Sequence, residues 1–107
     1  MEKFKELLEK LQKLEIIQKS YDWVENLPND IYAEYFKDNH TTLKDGLYSD
    51  KHRHYETSIS VIKICGGLLG IRYITDLFSE SSMIEDCFFT MEFFEMKEMQ
   101  ITSYVKV

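Results

Sequence analysis

The hydrophobic period of this chain changes once. Up to residue 27, apolar side chains recur every three or four positions, at Phe4, Leu7, Leu8, Leu11, Leu14, Ile17, Tyr21 and Val24. From His54 onward they alternate, with Tyr55, Thr57, Ile59 and Val61 set against Glu56, Ser58 and Ser60. The first spacing draws a stripe along a helix; the second turns one face of a strand towards a core. Pro28 stands where the first pattern ends. It has no N–H to give, and its ring pushes Leu27 into an extended conformation. Helices written first and strands second make an α+β class.

The first helix is expected over residues 2–27. Glu6–Lys10 and Glu9–Lys13 are opposite charges in the favourable order, and Glu2–Glu6 is a like-charge pair. The stripe also approximates a heptad seam, so this helix suits either its own sheet or a second copy of the chain, giving a homo-oligomer through residues 1–27. A second helix is expected over 29–39, capped by Asn29 or Asp30, burying Ile31, Tyr32, Tyr35 and Phe36 and stopping at Asn39. The polar stretch 40–51 carries an Asp45-Gly46 turn signal and reads as a small hairpin or a loop.

Four antiparallel strands are expected as a meander over 54–65, 68–78, 86–95 and 99–107. Gly66-Gly67 is the hairpin turn, 79–85 a loop and 95–98 the last turn. Residues 83–98 also suit a helix through Met83, Ile84, Cys87, Phe88, Met91 and Phe94, but their aromatic density favours strand. Length makes 1–107 a single two-layer α+β domain, with helices on one face of the sheet. The order of elements resembles that of cystatin-like and nuclear-transport-factor-2-like sheets, an analogy of fold that carries no function.

A formal net charge of −6 disfavours direct nucleic-acid contact and an anionic membrane surface. Two arginines, Arg53 and Arg72, are too few for a guanidinium-based phosphate reader. Charge and the absence of a leader-like or membrane-length apolar run point to a cytoplasmic protein whose partner is basic. Cys65 and Cys87 lie in apolar strand patterns, in no metal spacing, and read as inert buried thiols more readily than as a disulfide.

The motif DKHRHYE holds His52 and His54, which point to the same side if the segment is extended. With His40 or Asp50 they are weak candidates for a divalent metal, since a site needs three or four converging groups. The bland alternative is a solvated lead-in to a strand. The serines Ser79, Ser81 and Ser82 lie in no nucleophile elbow, and the glycine cluster precedes no helix. The sequence therefore assigns no catalytic residue and no cofactor.

The most distinctive stretch runs from Ser79 to Gln100. It carries six acids against one base, with four Phe and four Met. Met and aromatic rings adapt to partner surfaces, and rim acids steer a basic partner. Glu85, Asp86, Phe88, Glu92, Phe94, Glu95 and Glu98 are the candidate partner-binding residues. The competing view is that the rings fill the core and the acids are its solvated face. Together these features suggest a small acidic non-enzymatic protein-binding module, such as a phage or immunity-type inhibitor of a nucleic-acid-handling protein. The alternative is a homo-oligomeric small-ligand-binding or enzymatic domain, its pocket between helices and sheet and lined by His40, His52, His54, Tyr48 and Tyr55.

Overall fold

The computed structural model describes residues 2–78, 83–99 and 103–107. The architecture is α+β. Helix α1 is Glu2–Leu14, and a short helix α2 begins at Asn29–Ile31 and widens to π geometry over Tyr32–Phe36. The strands are β1 His40–Lys51, β2 Tyr55–Ile64, β3 Gly67–Leu77, β4 Glu92–Met99 and β5 Ser103–Lys106. They form one antiparallel sheet in the order β1-β2-β3-β4-β5.

Five strands are present where four were expected, and the first helix is half as long. In α1 the stripe works as read: Phe4, Leu7 and Leu11 are buried, and Glu6 pairs with Lys10 at 3.4 Å. The helix then stops at Leu14, because Glu15 takes a left-handed conformation (φ 48°). That conformation costs a non-glycine residue about 1–2 kcal/mol. What offsets it is pairing. Residues 16–18 run extended beside 89–91, with Met91 N–H donating to Ile16 O (2.9 Å) and Gln18 N–H to Phe89 O (2.8 Å). The Gln18 side chain, wholly buried, goes further. Its amide donates to Ile74 O (2.9 Å) and accepts from Ile74 N–H (2.7 Å). The β3–β4 ladder ends at Arg72↔Glu92, so Gln18 serves the Ile74 backbone where β4 has left it. Ile17, Tyr21 and Val24 are thus off any helix, and the heptad seam expected over 1–27 does not extend past Leu14.

A loop closed by Asn26 leads to α2. The Asn26 carboxamide oxygen accepts from Lys19 N–H (2.7 Å) and Ser20 N–H (2.9 Å), and its NH₂ donates to Ser20 O (2.9 Å). Asp22 caps a short 3₁₀ turn at Trp23–Asn26 by accepting from Val24 N–H (3.1 Å). Beyond α2, the polar stretch expected as loop or small hairpin is the edge strand β1. It is solvent-exposed along nearly its whole length, so no hydrophobic alternation marks it. Asp45-Gly46 is a bulge rather than a turn: the β1–β2 register shifts three times, and Gly46 (φ 71°) and Tyr48 (φ 50°) are both left-handed. Such irregularities blunt an edge against pairing with other chains.

The β2–β3 hairpin turns on Cys65-Gly66, one residue earlier than expected. Both have positive φ (50° and 77°), as a two-residue type I′ turn requires. Cys65 is therefore a turn residue and not part of a strand. Gly67 has a different role: a Cβ there would stand 2.6 Å from the Phe4 ring, so its bareness seats α1 on the sheet. The expected strand 86–95 begins only at Glu92, after a 3₁₀ turn at Ile84–Asp86, and it continues through the expected turn at 95–98. Most of the expected 79–85 loop and the start of the 99–107 strand, residues 79–82 and 100–102, lie outside the described residues.

The sheet has a core on each face. Against the helices lie Ile62, Ile64, Leu69, Ile71 and Phe93, with Phe4, Leu7, Leu11 and Phe36 above them. On the far face Ile59, Val61, Phe94, Met96 and Tyr104 bury one another, with Leu47 and Leu68 beside them. Among the described residues no helix covers this second cluster. The sheet curls over it instead, far enough for the Tyr48 hydroxyl on β1 to donate to the Tyr104 carbonyl on β5.

Candidate functional site

The acidic, aromatic stretch is divided by the fold. Phe93 points to the helices and Phe94 to the far face, as alternation predicts, but curling buries both, at 4% and 6% exposure. Phe94 is thus a core residue. Glu92 is exposed and forms a cross-strand ion pair with Arg72 at 2.6 Å. Glu95 is half-buried, and Glu98 and Asp86 are exposed; Glu85 lies in the 3₁₀ turn. The seven candidates therefore do not form one face. Glu92, Phe94 and Glu98 alternate with Glu95 along β4, whereas Glu85, Asp86 and Phe88 precede the strand.

Phe88 is the exception among the Phe-Phe pairs. It is 76% exposed, and its backbone is left-handed (φ 50°), a conformation that bulky residues rarely adopt. Its neighbour Phe89 turns inward, 6.0 Å from the Tyr55 ring. Phe78 and Met83 are also exposed. Tyr21, half-exposed, has its hydroxyl pKa raised by burial first, then by the Asp76 carboxylate and by Cys87. Cys87 and Asp86, just before Phe88 in the chain, are half-buried and exposed respectively.

A second feature lies on the far face. A hollow of about 270 Å³ opens over Phe94, Met96 and Ile59, walled by Tyr48 and Val105, with Arg72 and Lys106 at its rim. The Lys106 ammonium stands 5.3 Å and the Arg72 guanidinium 5.7 Å from the centroid of the Phe94 ring. Of the residues expected to line a pocket between helices and sheet, Tyr48 alone lines this one, and it does so on the opposite face.

The histidines do not converge. His40 Nδ1 lies 2.7 Å from the Phe36 carbonyl, and its ring meets Trp23 and Phe36 edge-on. His52 and His54 belong to the β1–β2 turn, where His52 N–H donates to Tyr55 O (2.7 Å), so the two-residue spacing is not that of an extended strand. His52 instead stacks on Tyr55 at 4.5 Å and approaches Asp50 at 3.4 Å. Among the described residues no three His, Cys, Asp or Glu side chains group as metal ligands would.

One hydrogen-bonded relay joins three residues from three strands, with no motif to mark it in the sequence. Ser60, fully buried, donates to the Asp45 carboxylate and lies 2.8 Å from the Tyr73 hydroxyl. With the Ser60 proton given to Asp45, Tyr73 must donate to Ser60. The Tyr73 pKa is raised, mainly by burial and further by Asp45 and Asp22, with the Ser60 bond acting in the opposite sense. A phenol held protonated this way is a poor nucleophile. Its work is to pin the Asp45 bulge of β1 across β2 to β3. Burial likewise raises the Cys65 thiol, which stays protonated, and Cys65 and Cys87 are free thiols, each half-buried.

No family model, no curated protein and no solved structure matches the chain. No helix among the described residues is long and apolar enough to cross a membrane.

Proposed function

We propose that this chain is a small, acidic, non-enzymatic module that binds another protein through the surface around Phe88. The observation that carries the reading is Phe88 itself: a large apolar ring, 76% exposed, on a left-handed backbone. Exposure forgoes the roughly 1.5–3 kcal/mol that burying such a ring contributes, and the backbone adds a local cost. Local strain of this kind clusters at functional sites. Tyr21, Phe78 and Met83 are further exposed apolar side chains, and Asp86, two residues before Phe88, and Asp76 are exposed acids. A net charge of −6 favours a basic partner, and an inhibitor of a nucleic-acid-handling protein, of the phage or immunity type, is the class that fits this charge and size best. Cytoplasmic location belongs to the same proposal.

The test is capture from lysate of the source cell or its host, with wild-type chain and Phe88→Ala as baits and with washes at low and then high salt. The expected result is a basic protein held by the wild type at low salt, released at high salt and not held by Phe88→Ala. Equal retention by the two baits would contradict the proposal.

A further inference from the structure

The far-face hollow carries an inference separate from the Phe88 surface. We propose that it binds a small organic anion, a single carboxylate on an apolar body about the size of one aromatic ring. Its chemistry has two parts. The floor and walls are apolar: Ile59, Phe94, Met96, Val105 and the Tyr48 ring. The rim carries two cations, both beside the Phe94 ring. Arg72 is already paired with Glu92 at 2.6 Å, whereas Lys106 makes no ion pair among the described residues. The rim is therefore positive by one charge on a protein whose net charge is −6. An organic cation is repelled there, and a neutral apolar molecule gains nothing from Lys106. An apolar anion uses both parts.

The size of the ligand follows from the floor. A Cβ on Gly70 would stand 2.4 Å from the Phe94 ring and 2.8 Å from Met96, so the bare glycine lets both side chains lie flat on β3 and leaves space above them. That space, about 270 Å³, is just under the ~300–1,000 Å³ of pockets for drug-sized ligands, which limits the occupant to a small one. Tyr48 sets the depth of the hollow. Its left-handed backbone and its hydrogen bond to the Tyr104 carbonyl hold β1 over β5, so the wall is fixed before any ligand arrives.

The experiment is a titration of the whole ¹⁵N-labelled chain, followed by amide shifts, with benzoate as the anionic probe and benzyl alcohol as its neutral counterpart. Benzoate is expected to produce saturable shifts at Ile59, Val105 and Lys106. Lys106→Gln should weaken benzoate roughly twofold to fivefold and leave the alcohol unchanged, as removal of one exposed charge does. Three results would each overturn the proposal: no saturable shift at those residues up to about 10 mM benzoate, which corresponds to about 3 kcal/mol of binding, benzyl alcohol binding as tightly as benzoate, or unchanged benzoate affinity in Lys106→Gln. Lys106 is exposed, so that variant tests charge without testing folding.

Discussion

The dipeptide Phe-Phe occurs twice, five residues apart, and only one copy has both rings buried. Phe93 and Phe94 sit in β4, paired with Ile71 and Gly70 of β3, and each ring is buried on its own face of the sheet. Phe88 and Phe89 precede the strand. There the chain pairs through 89–91 with 16–18, while Gln18 takes the place of β4 beside Ile74. Phe89 turns in, and Phe88 is left outside on a left-handed backbone. Residue type is constant between the copies. What differs is whether a neighbouring strand and a curled sheet lie over the ring.

The largest test of that contrast is Phe93→Ala, expected to destabilise the protein by about 3–5 kcal/mol in a denaturant melt, through lost transfer energy and a cavity. A smaller cost would mean that the helix layer collapses readily onto β4. Next is Gln18→Ala. It leaves the Ile74 N–H and C=O without partners in a buried setting, and a loss of about 2–3 kcal/mol is expected. A neutral result would show that the ladder extends to Ile74 without Gln18. Phe88→Gly should have the opposite sign. It relieves a left-handed phenylalanine and is expected to stabilise by up to about 1 kcal/mol, read by the same melt, less whatever the freer unfolded chain takes back. Destabilisation would indicate that the ring packs after all.

The smallest effect concerns α1. A hydrogen bond from the Tyr35 hydroxyl, and then one from Lys10, hold the Glu6 carboxyl below its ordinary value of 4.5. Because the folded pKa is the lower one, its contribution is present above pH 4.5 and is lost as the pH falls through the folded value. Melting temperature followed from pH 6 down to about pH 3 should therefore fall less steeply in Glu6→Gln than in the wild type. Identical slopes would remove Glu6 from the account.

Much of the helix layer and the central hairpin was legible. Phe4, Leu7 and Leu11 mark the buried stripe of α1, and the alternation on either side of Gly66 marks β2 and β3. Three features were not, each for a physical reason. The strand β1 is an exposed edge, so its polar residues are held by backbone pairing alone and show no period. The end of α1 is set by Gln18, a polar residue off the apolar stripe, whose role exists only beside Ile74. The far-face core depends on curl, which brings Tyr104 and Leu47 over Phe94 and Met96 and is a property of the whole sheet. For the same reason Phe94 reads from sequence as a docking residue, while Phe88 does not stand out from its neighbours. The Asp45–Ser60–Tyr73 relay had a faint signal: serines continue the inward face of β2 that Ile62 and Ile64 occupy.

Melting Phe88→Ala and Phe93→Ala side by side separates a ring that holds the fold, Phe93, from one that the fold displays, Phe88. Alanine keeps the left-handed backbone at 88 and removes only the ring. Phe88→Ala is expected to melt within about 2 °C of the wild type and Phe93→Ala more than about 10 °C below it. A loss at Phe88 comparable to that at Phe93 would contradict this, because the exposed ring would then be holding the fold together.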